Sequence, residues 1–137
     1  MARDLFHQSV KEALVKDGWL VTHDPYRIRD DDFGFNYEVD LGAERVIAAQ
    51  KNTELIAVEI KSFTKASITY EFHTALGQYM TYLAGLEETE PARQLFLAIP
   101  DFIYWQLPKQ ILFLIERYQL RIIVYEPELN IIIQWKR

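Results

Sequence analysis

The nine residues Glu54-Leu-Ile-Ala-Val-Glu-Ile-Lys-Ser62 constrain the fold more than any other stretch of this chain. They predict a strand that begins apolar and gains charge toward its end. With period-two alternation, Leu55, Ala57, Glu59 and Lys61 share one face, while Ile56, Val58 and Ile60 share the other. A carboxylate and an ammonium therefore point the same way at the end of an otherwise buried strand. A buried charge is costly unless it is paired, so this arrangement demands a reason, and the upstream partner it suggests is Asp40.

The rest of the chain supplies elements around that strand. Residues 4–18 predict a helix, with Asp4 as N-cap, Leu5, Phe6, Val10, Ala13 and Leu14 as its apolar stripe, and Gly18 after the last turn. Trp19 to His23 reads as a short strand. Asp24 to Gly34, with Pro25 and the run Asp30-Asp31-Asp32, reads as a solvated loop. Tyr37 to Leu41 is strand-like, Gly42 introduces a break or bulge, Arg45 to Ala49 resumes extended structure, and Gln50 to Thr53 is a polar turn. These pieces predict an antiparallel hairpin with Asp40 on one arm and Glu59 and Lys61 on the other.

Ser67 is the expected cap of a long helix reaching about Leu86, broken by Glu87-Glu-Thr-Glu-Pro91. Gln94 to Ile99 is a buried strand, and residues 101–118 hold a helix that starts near Leu107-Pro108. Arg121 to Tyr125 and Asn130 to Trp135 form a closing hairpin. The expected architecture is α/β: a mixed β-sheet flanked by helices, with an α-β-β-β-α-β core plus a C-terminal helix and hairpin.

Composition narrows the class. At 137 residues the chain predicts one domain spanning 1–137, and a 50% hydrophobic content argues against disorder. With no cysteine, neither disulfides nor a thiolate zinc site can form. No apolar run approaches the roughly 20 residues of a membrane span, and Met1-Ala-Arg-Asp opens without a secretory apolar region. The expectation is a cytoplasmic protein without membrane contact. A net charge of −5 counts against a broad grip on nucleic acid, because phosphate neutralisation supplies the sequence-independent attraction.

An acid-any-lysine spacing is expected by chance roughly once in a chain of this length. Context raises its value. Asp40 on the adjacent arm can converge with Glu59, and two carboxylates with the Ile60 carbonyl and water suit Mg²⁺ or Mn²⁺. Lys61 can then position the attacking water and balance charge on a phosphate. The histidines at 7, 23 and 73 show no compact ligand spacing and read as polar or partly buried residues. Trp135, after three isoleucines, reads as packing at a sheet edge, while Trp105 and the tyrosines are candidates for stacking on bases.

The order Asp40…Glu59-Ile60-Lys61, with a helix before and after, resembles the core of the PD-(D/E)XK, restriction-endonuclease-like superfamily. That resemblance implies a divalent-metal nuclease site. In some of its branches the following helix carries Gln and Tyr four residues apart, matched here by Gln78 and Tyr82. The first helix often adds another acid, for which Glu12 is the candidate. The proline that usually precedes the first acid is Val39 here.

End to end, the chain is also similar to the XisH-like family, excision controlling factors of the fdxN DNA element. The residues that carry this are Ala2-Arg-Asp-Leu-Phe-His7, Glu38-Val-Asp-Leu-Gly42, Ala57-Val-Glu-Ile-Lys-Ser-Phe63 and Glu71-Phe-His-Thr-Ala-Leu-Gly-Gln-Tyr79. The resemblance implies DNA as partner, together with an XisI-type companion protein and a site-specific recombinase. Two functions follow as expectations. One is a Mg²⁺-dependent endonuclease acting on DNA phosphodiesters through Asp40, Glu59, Lys61, Gln78 and Tyr82. The other is a catalytically silent accessory factor working through protein contacts, with the apolar C-terminal strands as the interface of a homodimer or partner complex.

Overall fold

A computed structural model describes residues 5–47, 52–64 and 67–137. In chain order it comprises α1 (His7–Lys16), β1 (Leu20–His23), β2 (Tyr26–Asp30), β3 (Phe35–Val39), β4 (Leu41–Ile47) and β5 (Asn52–Ile60). These are followed by α2 (Ile68–Thr89), β6 (Arg93–Pro100), α3 (Asp101–Tyr104), α4 (Lys109–Arg117), β7 (Ile122–Glu126) and β8 (Ile131–Lys136).

The stretch around Glu59 is β5, and it lies inside a six-stranded sheet of order β1-β4-β5-β6-β7-β8. It pairs antiparallel with β4, Leu41 opposite Val58, and parallel with β6, Ile60 opposite Ala98. β6 and β7 are parallel, and β7 and β8 close the sheet as an antiparallel pair. Parallel neighbours need a crossover, and α2 supplies it between β5 and β6. Because β5 and β6 are covered on both faces, their runs of buried aliphatic residues are nearly continuous.

The period-two reading of β5 holds in detail. Ile56, Val58 and Ile60 pack with Val10 and Leu14 of α1, whereas Ala57 packs with Phe72, Tyr79 and Tyr82 of α2 on the opposite face. Ser67 caps α2, its Oγ accepting from the Tyr70 N–H at 3.1 Å. Trp135 does pack at the sheet edge, its ring 5.5 Å from Trp19 and 5.1 Å from Phe96. No described helix is long and apolar enough to cross a membrane.

Several expectations require correction. The segment from Asp24 to Gly34 is not all loop: β2 and β3 form a second, two-stranded antiparallel sheet that packs on α2. Tyr26 and Ile28 are buried while Arg27 and Arg29 face outward, so the alternation was present but rested on two apolar residues alone. Only the turn matches a loop, where Asp30 Oδ1 accepts from Asp32 N–H at 2.9 Å and Gly34 takes φ +79°. Tyr37 to Leu41 is divided between two sheets, and β4 runs through Gly42 without a break, although the β1–β4 register does shift there, between Val21 and His23 opposite Ala43 and Gly42. β5 begins at Asn52, earlier than expected. α2 continues three residues past Leu86, to Thr89 within the acidic run, and the short α3 precedes the expected helix, α4, which does start near Leu107-Pro108 with Pro108 at its N-cap. The expected cap Asp4, the strand end at 48–49 and the turn residues 50–51 lie outside the described residues; α1 begins after Phe6.

Candidate active site

Asp40 occupies the single residue between β3 and β4, where the chain passes from the small sheet to the large one. Its Oδ2 accepts the Ile60 N–H at 2.8 Å, beyond the last β4–β5 residue pair. The side chain thus finishes the ladder with a charge-assisted bond and is drawn to the carboxyl end of β5. In parallel-stranded α/β sheets, that is where ligands collect.

Glu59 is 6% exposed and shares a hydrogen bond with Asp40. Lys61 Nζ lies 3.3 Å from Glu59 Oε2, and the other carboxyl oxygen, Oε1, is buried with no hydrogen-bond partner. Burial, then the negative charge of Asp40, pushes the Glu59 carboxyl up to about 8 against the pull of Lys61. Burial also raises Asp40, outweighing the Ile60 N–H bond. Without a cation the pair therefore holds a proton at neutral pH.

Tyr82 reaches the same region from α2, and Gln78, one turn before it, borders the groove beside it. Burial first, then the charges of Glu59 and Asp40, pushes the Tyr82 phenol up to about 12, so it remains a hydrogen-bond donor. Tyr82 packs against Tyr37 of β3 with ring centroids 5.7 Å apart. Between β3 and α2 opens a groove of about 540 Å³ bordered by Tyr37, His73, Gly77, Gln78, Thr81 and Tyr82. Gln78 Oε1 is buried there without a hydrogen-bond partner.

Glu12 is not brought to this cluster. It is exposed, and its Oε2 accepts from Asn130 Nδ2 at 2.6 Å in the turn between β7 and β8. The α1 residue that faces the carboxylates is His7, 4% exposed, whose charge acts on Asp40. Five helical positions separate the two, about 140° around the axis, so they cannot serve one site. His7 Nε2 lies 2.7 Å from Asp24 Oδ1, and Lys11 Nζ donates to Asp24 Oδ2 at 2.9 Å. Burial raises the Asp24 carboxyl, but the bonds from Lys11 and His7 outweigh it and hold it below its usual range. The spacing of His7 and Lys11, one turn apart on α1, was the available signal for this trio. Tyr37 lay beside Asp40 with no signal that it borders a groove.

The donor set suits a hard dication. Among the described residues no group of three or more His, Cys, Asp or Glu gathers around one point. The protein offers two carboxylates and the Ile60 carbonyl, leaving other positions to water or phosphate oxygen, as Mg²⁺ requires. The unpartnered Glu59 Oε1 and the raised carboxyls fit such a cation, which would satisfy the one and lower the others.

The XisH protein family model matches residues 1–133. A crystal structure of an XisH family protein from Nostoc punctiforme PCC 73102 aligns with a TM-score of 0.84 at 40% identity, covering 98% of this chain and 100% of that one. That of an fdxN element excision controlling factor protein from Anabaena variabilis aligns with a TM-score of 0.80 at 41% identity, with the same coverage. No match is found among curated proteins.

Proposed function

The chain belongs to the XisH family, and from that membership we propose that it processes DNA through a divalent-metal-dependent phosphodiesterase site of the PD-(D/E)XK, restriction-endonuclease-like kind. The observation that carries this reading is the convergence of Asp40 and Glu59 at the end of β5, with Lys61 3.3 Å from Glu59. An Anabaena relative solved as an fdxN element excision controlling factor supports a role in DNA excision.

Asp40, Glu59 and the Ile60 carbonyl would hold Mg²⁺ or Mn²⁺, which when bound polarises a phosphate and acidifies water. The Lys61 side chain is partly exposed. It orients the attacking water by hydrogen bonding and offsets charge that builds on the phosphate in the transition state. Tyr82 presents a protonated phenol to the same oxygens, and Gln78 steadies the substrate one helical turn away. Glu12, bonded to Asn130, has no part in this chemistry.

Purified protein with Mn²⁺ or Mg²⁺ should nick or cut DNA, and Mn²⁺ should raise its melting temperature. Asp40→Ala should lose both effects. Lys61→Ala should lose cleavage and keep the melting shift. Cleavage that survives both substitutions in folded protein sinks the assignment.

A second reading, a silent accessory factor, is favoured by apolar side chains exposed on and beside α3 and α4, Trp105 at 68% and Phe113 at 64%. On this reading the chain engages an XisI-type companion, a recombinase or a second copy of itself. Absence of cleavage with either metal, together with companion binding that persists in Asp40→Ala, would select it.

A further inference from the structure

The groove between β3 and α2 is a binding feature that metal ligation leaves unused. One wall is the ring of Tyr37, 41% exposed. Gly77 contributes no side chain to obstruct it, and a Cβ built there would meet nothing within 4 Å. Gln78 borders the groove, and Tyr82 links it to the carboxylates through its electrostatic contact with Glu59 and Asp40. At about 540 Å³ the groove lies within the roughly 300–1,000 Å³ range of small-ligand pockets.

Its charge is as informative as its shape. Among the described residues no lysine or arginine borders the groove. Arg27 and Arg29 on the adjoining small sheet are bonded to Asn36, Glu38 and Asp31. They alternate with the inward-facing Tyr26 and Ile28, so they lie on the sheet face away from α2. With a net charge of −5, the chain has little to offer a duplex, whose affinity comes from neutralising many phosphates. An exposed aromatic ring in such a groove instead suits the face of an unpaired base.

We propose that this groove is a subsite for an unpaired nucleotide of single-stranded DNA, its base lying on Tyr37 while its phosphate reaches the Asp40–Glu59 edge. This rests on the nuclease reading and specifies its substrate class.

Fluorescence anisotropy of a labelled oligodeoxynucleotide tests the subsite, with Ca²⁺ replacing Mn²⁺ to suppress turnover. The full-length chain should bind the single strand at least roughly tenfold more tightly than a blunt duplex of the same sequence, with shallow salt dependence. Tyr37→Leu should weaken single-strand binding roughly tenfold, and Tyr37→Phe should preserve it. Equal affinity for the two forms, wild-type binding by a folded Tyr37→Leu, or no binding to either form overturns the subsite. The Asp40-dependent Mn²⁺ melting shift is read separately, so the loss of the subsite is distinguishable from the loss of the metal site.

Discussion

Glu59 sits where a carboxylate is poorly solvated, beside a second acid, and its proton affinity follows from both. Its ordinary value of 4.5 rises to about 8 in the folded chain. Between those values the folded state retains a proton that the unfolded state has released. The stability contributed is fully present below about pH 4.5 and is lost as pH rises through about 8. Metal-free protein should therefore lose stability across pH 5 to 8, with a slope approaching about 1.4 kcal/mol per pH unit. Glu59→Gln should flatten that slope, as should saturating Mn²⁺, because a carboxylate pair holding a cation has already given up its proton. Urea titrations at several pH values measure this, and a slope unchanged in Glu59→Gln would remove Glu59 as its source.

At the scale of elements, α2 carries both the crossover and one wall of the groove, and its two interior glycines differ in purpose. A Cβ at Gly85 would lie 2.6 Å from Ile28 Cγ2, so the small sheet approaches the helix closely there. Gly85→Ala should destabilise the protein by about 1–3 kcal/mol through overpacking, a net cost despite alanine's better helix propensity. Gly77 has open space around its missing side chain. Gly77→Ala should accordingly stabilise the fold by about 0.5–1 kcal/mol. Thermal unfolding of the two variants should move in opposite directions; a shared direction would contradict this account of how β2 and β3 dock.

Across the whole molecule, Arg93 ties the small sheet to the large one at the start of β6. Its buried guanidinium donates to the Ile56 carbonyl at 2.8 Å and to Glu90 at 3.1 Å, and lies 4.4 Å from the centre of the Tyr26 ring. Tyr26 in turn donates its hydroxyl to Glu90. Burial raises the Glu90 carboxyl, but the bonds from Tyr26 and Arg93 prevail and hold it below its usual range. Arg93→Ala should cost about 1.5–3 kcal/mol by stranding these partners, with Arg93→Lys a poor rescue because it lacks the planar fork. Equilibrium denaturation reads this directly, and full rescue by lysine would show that charge alone sufficed.

The sequence by itself determined what depends on neighbours along the chain. The alternation in β5 assigned its two faces, Ser67 marked the start of α2, and Glu59 and Lys61 were bound to point together because two residues make one strand repeat. The spacing of Gln78 and Tyr82 likewise sets both on one helix face, since four residues make about one turn. Tertiary structure decided what depends on how elements meet. Asp40 reaches Ile60 because β3 and β4 part company at that residue, and β2 is a strand because α2 covers Tyr26 and Ile28. The rotation of α1 against the sheet turns His7 toward the carboxylates and Glu12 toward Asn130. Local pattern specifies which side chains share a face; only packing, which is non-local, specifies what that face meets.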